Sequence, residues 1–190
     1  DHPELTPALD AARRLVDLFL QTWKIDPATL QVYFSGAKGF HLMLDSRLFG
    51  RVAPSRSLPM IFDSLRRHLA QELPETLRAT IDLTIKDRMR LLRLPNTMHE
   101  KSRLYKIILS AEELRSCDAA QIRELAKQPR ALTLTDESGL LSYFEVKANG
   151  AAAQLFKRVQ RQLKQLTRKP FAYRFHRPAD LSQIQFPCAG

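Results

Sequence analysis

Two short stretches gather the residues of this chain that could do chemistry. Phe34-Ser35-Gly36-Ala37-Lys38-Gly39-Phe40-His41 brings a hydroxyl, an ammonium and an imidazole into one turn, and its glycines permit positive φ and close backbone approach. Such a turn can cradle phosphates through backbone amides together with Ser35, Lys38 and His41. The same residues also suit a plain hairpin loop with a solvated lysine and an internally satisfied histidine. The second stretch, Arg93-Leu94-Pro95-Asn96-Thr97-Met98-His99-Glu100-Lys101-Ser102, follows Ile81-Asp82-Leu83 and precedes Tyr105-Lys106. An acid between apolar neighbours, then Arg93, His99, Lys101 and Lys106, is the pattern of a metal ligand beside phosphate-binding donors. Its alternative is a local cap or ion pair at Asp82 and a solvated cationic face.

Together the two stretches resemble the archaeo-eukaryotic primase superfamily: a serine-glycine turn ending in histidine, then an aspartate shortly before Arg-Leu-Pro-x-x-x-His-x-Lys. The second stretch is most similar to cellular primase small subunits and to plasmid and phage primase-polymerases, and the resemblance covers roughly residues 1 to 130. It implies an α/β catalytic core of mixed α+β type with a sheet related to RNA-recognition folds, here expected to lack its first strand. The implied activity is template-directed nucleotidyl transfer from nucleoside triphosphates with two divalent metals, Mg2+ or Mn2+. The implied partners are a single-stranded DNA template, a primer, and a helicase or accessory primase domain. By the resemblance, Ser35, Gly36, Lys38 and His41 hold the incoming nucleotide's phosphates and His41 belongs to the catalytic set. Asp82 matches the third metal-binding carboxylate. Arg93, His99 and Lys106 match basic positions around the triphosphate or template.

This chain departs from the family pattern in two places. Arg103 stands where many relatives have glycine, which puts the local turn in question. The first metal motif, an Asp-x-Asp or Asp-x-Glu pair, is represented at most by Asp1, which lies 34 residues before Ser35. With so thin a carboxylate set, the rival reading is a nucleotide- and nucleic-acid-binding module of the same fold without catalysis. A repair polymerase domain of the kind attached to bacterial end-joining ligases shares the serine-glycine-histidine turn, but the Arg93 to His99 run argues against it.

The elements that must position these residues follow from periodicity. Ala8, Ala12, Leu15, Phe19 and Trp23 recur at helical steps behind Thr6-Pro7, which predicts a helix capped by Thr6 and ended at Asp26-Pro27. Residues 31–34 and 40–44 read as strands around the first turn. Leu58, Ile61, Phe62, Leu65 and Leu69 predict a helix that Pro74 terminates. Residues 80–85, 89–94 and 105–109 read as extended, and Ser110-Ala111-Glu112-Glu113 is a capping box. Residues 140–146 read as a strand, and residues 151–166 as a basic amphipathic helix carrying Lys157, Arg158, Arg161 and Lys164. Its nearby Phe171, Tyr173 and Phe175 alternate with cations, a pattern for core packing ahead of base stacking. Residues 1–130 are expected to be the catalytic core and residues 131–190 the C-terminal part of the same domain, leading to a region beyond this chain.

At 190 residues and 44% hydrophobic content the chain can bury a substantial core. Thirty Lys and Arg against twenty Asp and Glu leave a formal charge of +10, which favours polyanionic partners. Cys117 and Cys188 are too few for a disulfide framework or a zinc site, so a reducing, cytoplasmic setting is expected. No apolar run reaches membrane-span length, so no membrane partner is expected. His68, His176 and Cys117 lack spaced partners for a hydrolase triad or zinc cluster. The chain starts at Asp1 and stops at Gly190 without a polar tail, the look of an excised fragment.

Overall fold

A computed structural model of the chain describes residues 4–85, 91–130 and 146–168. These form an α+β fold in which helices pack around a three-stranded antiparallel sheet of order β2-β1-β3. The strands are β1 (Leu30–Phe34), β2 (Phe40–Leu44) and β3 (Ile107–Leu109). The helices are α1 (Leu5–Asp17), α2 (Leu58–Gln71), α3 (Glu75–Arg78), α4 (Ala111–Ser116), α5 (Ala119–Leu125) and α6 (Gly150–Arg168).

Strand alternation sorts the sheet's two faces. Val32 lies opposite Leu42 and Leu109, and Phe34 opposite Phe40 and Ile107. That face meets Leu5, Leu9, Ala12 and Val16 of α1, together with Leu114 and Ile122, in the principal core. The other face carries Tyr33, flanked by His41 and Ile108. The period-two pattern of 40–44 thus sends Phe40 and Leu42 to the core and turns His41 away from it.

α1 begins at Leu5, and its N-cap, Glu4, makes no side-chain cap bond, so Thr6 sits inside the helix instead of capping it. The helix continues through a wide π turn, Leu18–Thr22, which keeps Phe19 and Trp23 in contact with ring centroids 5.1 Å apart. A second cluster joins Ala11, Leu15, Phe19, Ile25, Leu48 and Leu73 to Ala152 of α6. A third packs Ile61 and Leu65 of α2 against Phe156 and Val159 of α6. Asn149 fixes the start of α6: its amide group donates to the Trp23 carbonyl at 2.7 Å, and its Oδ1 accepts from the Ala152 amide at 3.1 Å. Residues 150–165 therefore share a core with residues 4–73.

Ser110 and Glu113 form the expected capping box on α4, and Asp118 with Gln121 forms another on α5. Arg13 closes α1 onto α4, donating from Nε to the Leu114 carbonyl and from Nη2 to the Cys117 carbonyl, both at 2.8 Å. It thereby satisfies carbonyls that a helix end leaves unpaired. Residues 80–85, read as extended, are not paired into the sheet: Thr80 Oγ1 donates to the Leu77 carbonyl at 2.7 Å and extends the turn after α3. Of the segment 89–94, residues 91–94 have no strand pairing, and residues 89–90 lie outside the described part, as do residues 140–145 of the predicted later strand. Among the described residues no helix is long and apolar enough to cross a membrane.

Candidate functional site

The 35–39 loop joins β1 to β2 and is built around one hydroxyl. Ser35 Oγ accepts from the amides of Ala37 at 3.3 Å and Gly39 at 3.2 Å, while the Ser35 amide donates to the Gly39 carbonyl at 2.8 Å. Two amides that could have cradled a phosphate are thus committed to the loop itself, and the side chains are left as the principal donors. Gly36 has φ +80°, and a Cβ there would stand 2.8 Å from the Leu104 carbonyl oxygen. Glycine is needed both for the backbone angle and for the approach.

What approaches Gly36 is the second stretch. Residues 96–106 form a hairpin: the Asn96 amide donates to the Lys106 carbonyl at 2.7 Å, Lys106 returns a bond to Thr97 at 3.0 Å, and the His99 amide donates to Leu104 at 2.8 Å. Arg103, in the position where glycine was expected, has φ +58°. The turn keeps its left-handed geometry with a residue that adopts it at a cost. The hairpin is anchored from behind by Arg130, whose guanidinium donates to both Glu113 carboxylate oxygens at 2.7 Å and to the Ile108 carbonyl at 3.0 Å. This pairing holds the Glu113 carboxyl well below its ordinary range, to about 2. Arg130's amide also donates to Asn96 Oδ1 at 2.9 Å.

The two stretches are fastened together directly. Arg93 Nη2 donates to the Ser35 carbonyl at 2.7 Å, and Ser102 Oγ donates to the Gly36 carbonyl. Between them lies an open cleft of about 690 Å³ lined by Ser35, Lys38, His41, Arg93, His99 and Lys101, with Glu100 also on the wall. Three permanent cations and two imidazoles thus face one carboxylate. His99 Nδ1 accepts from the Ser102 amide at 3.2 Å, so the neutral ring would carry its proton on Nε2 as a donor.

His41 is half-buried, and its Nδ1 is enclosed with no hydrogen-bond partner. Burial lowers its pKa, and the nearby charges of Lys106 and Arg93 lower it further. Lys106, sought around the triphosphate or template, is instead behind the cleft: only 1% of its surface is exposed, its Nζ donates to the Arg93 carbonyl at 2.7 Å, and it stands 4.9 Å over the Tyr33 ring. Burial and then Arg93 lower its pKa. Lys106 therefore positions Arg93 and charges the site without lining it.

Asp82 is not among the side chains that line this cleft. Its Oδ1 accepts from the Thr84 amide at 2.9 Å and from the Thr84 hydroxyl at 2.6 Å, a local turn of the kind aspartate favours. Asp1, the other metal candidate, lies outside the described residues. Among the described residues no group of three or more His, Cys, Asp or Glu side chains is placed to hold a metal ion. The described donors alone do not fit the two-metal carboxylate set that the sequence resemblance implies. The residues that the sequence did not single out are Tyr33, Arg130 and Glu113; the capping-box reading named Glu113 without linking it to the hairpin.

Comparison with family models, curated proteins and solved structures found no match to this chain.

Proposed function

We propose that this cleft holds the phosphates of a nucleoside triphosphate, as the nucleotide site of a primase-polymerase type of nucleotidyltransferase. The observation that carries the reading is the fastening of the serine-glycine turn to the Arg93–Lys106 stretch through Arg93 and Ser102, which brings Lys38, His41, Arg93, His99 and Lys101 to one cleft. Polyphosphate is the ligand class with enough charge and acceptor oxygens to answer so many donors. In nucleotidyl transfer a 3'-hydroxyl oxygen bonds the α-phosphorus and gives up its proton to solvent, the bond from the α-phosphorus to the oxygen shared with the β-phosphate breaks, and pyrophosphate leaves. Cations aimed at the β- and γ-phosphates stabilise that departing charge. Mg2+ or Mn2+ in such a reaction would need acids besides Asp82, whereas phosphate binding by the cleft needs none.

His41→Ala is expected to weaken nucleoside triphosphate binding about ten- to a hundredfold, the equivalent of one charge-assisted hydrogen bond of roughly 1.5–3 kcal/mol, with little change for the bare nucleoside. Titrating labelled forms of both ligands tests this, and an unchanged triphosphate affinity would return His41 to the role of a packed hairpin histidine. Primer extension on a single-stranded template with either metal separates the two family readings. Triphosphate binding without extension, in the longest natural form of the chain, favours the binding module.

A further inference from the structure

The helix α6 carries a surface that the cleft does not account for. Over Gly150–Arg168 the sequence holds five basic residues and no acidic one. Lys157, Arg161 and Lys164 fall at steps of four and three along one exposed face, with Arg158 exposed beside them. Lys157 and Arg161 are like charges four residues apart, a spacing that repels and destabilises a helix, so that pair is unfavourable unless an anion answers it. The intervening exposed positions, Gln154, Gln162 and Gln165, offer hydrogen bonds and no apolar anchor. The helix's apolar side is already spent: Phe156 and Val159 are buried against Ile61 and Leu65 of α2. A helix that lies in a lipid interface needs an apolar face to insert, and among the described side chains of α6, residues 150–165, none is left over.

At the edge of the basic face, Trp23, His68, Leu69, Gln71, Glu72, Leu155 and Arg158 line a shallow notch of about 140 Å³. That is well short of the several hundred Å³ that enclose a small-molecule ligand. It suits a single planar ring resting against Trp23, with Arg158 alongside, and Glu72 disfavours a phosphate inside the notch itself while offering an acceptor to a ring amine. An unpaired base next to its own phosphodiester has this combination of flat ring and flanking negative charge, and such pairs of aromatic side chain and basic track are how single strands are held.

We propose that the exposed face of α6 and the Trp23 notch bind single-stranded nucleic acid, with phosphates along Lys157, Arg158, Arg161 and Lys164 and one base at Trp23. The inference does not rest on the triphosphate reading, since neither the notch nor the basic face shares a residue with the cleft. Trp23 is the chain's single tryptophan, so its emission reports this notch alone. A thymidine 20-mer titrated into the full chain is expected to quench that emission. In the triple variant Lys157→Gln, Arg161→Gln, Lys164→Gln, the dependence of log affinity on log salt should become shallower by about 2, three cations at ~0.7 each for a single strand. These exposed substitutions should leave labelled-triphosphate affinity as in the parent chain and the melting temperature unchanged or slightly raised, so failure here and failure of the cleft reading are separable. No quenching, an unchanged salt slope in the triple variant, or tighter binding to vesicles of phosphatidylserine than to the oligonucleotide would each overturn the proposal.

Discussion

Burial and the charges of Lys106 and Arg93 act on His41 in the same direction, holding its pKa below the ordinary 6.5 of an imidazole. Both effects favour the neutral ring, and an anion that compensates the neighbouring charges would favour its cation. Linkage fixes the sign. If the cleft binds phosphate as proposed, the anion would raise the pKa of His41, so binding is expected to take up protons and triphosphate affinity to rise as pH is lowered toward the ordinary imidazole value of 6.5. Calorimetry in buffers of different ionisation enthalpy should record a larger proton uptake for the parent chain than for His41→Gln; equal uptake would remove His41 from the binding event. For folding the sign is the reverse: the unfolded chain takes the proton first, so the contribution of a neutral His41 is lost as pH falls through about 6.5. The residues of this site were legible in the sequence as a cluster of donors, because hydroxyl, imidazole and cations recur within a few positions. Which of them line the cleft was not. Lys106 has the composition of a ligand-binding lysine, and its burial depends on the Tyr33 ring and the Arg93 carbonyl, which only tertiary structure brings to it.

The hairpin of residues 96–106 shows how an element can keep its geometry with a costly residue. Arg103 at φ +58° occupies a region that costs a side chain roughly 1–2 kcal/mol, partly offset by glycine's greater freedom in the unfolded chain. Arg103→Gly is thus expected to leave stability unchanged or raise it by up to ~1 kcal/mol, and Arg103→Val to lower it by at least ~1 kcal/mol, since a branched side chain fits that region worst. Chemical denaturation of both variants decides it; a destabilising glycine would mean that the arginine side chain contributes more than its backbone strain costs. Elements with a short apolar and aromatic run beside a turn, a helical period or a reciprocal cap were readable in advance: β1, β2, α2 and the Ser110–Glu113 box all follow their patterns. The equal signal of Asp118 and Gln121 marks α5, a helix that apolar periodicity over so short a stretch does not reveal. Residues 80–85 misled because their alternating apolar and β-branched residues imitate a strand, whereas Thr80 and Asp82 spend their side chains on local backbone bonds that favour turns.

At the scale of the whole molecule, α6 is held by the same cores as the N-terminal elements. Ala152 packs with Ala11, Leu15 and Phe19, and Phe156 joins Phe49 and Phe62 at ring separations of 5.9 and 6.3 Å. Phe156→Ala is expected to cost about 3–5 kcal/mol and to shift one cooperative unfolding transition, followed by Trp23 emission and by far-ultraviolet circular dichroism together. Two separated transitions would instead make α6 an appendage. The close contact between Gly36 and Leu104 also has a mechanical meaning for this assembly. The loop from the sheet and the hairpin that form the cleft's opposing walls are pressed together at their base, with Arg93 and Ser102 riveting one to the other. If the cleft takes a phosphate ligand as proposed, walls fastened together at their base would meet it as one body, so entry is expected to require no closing step.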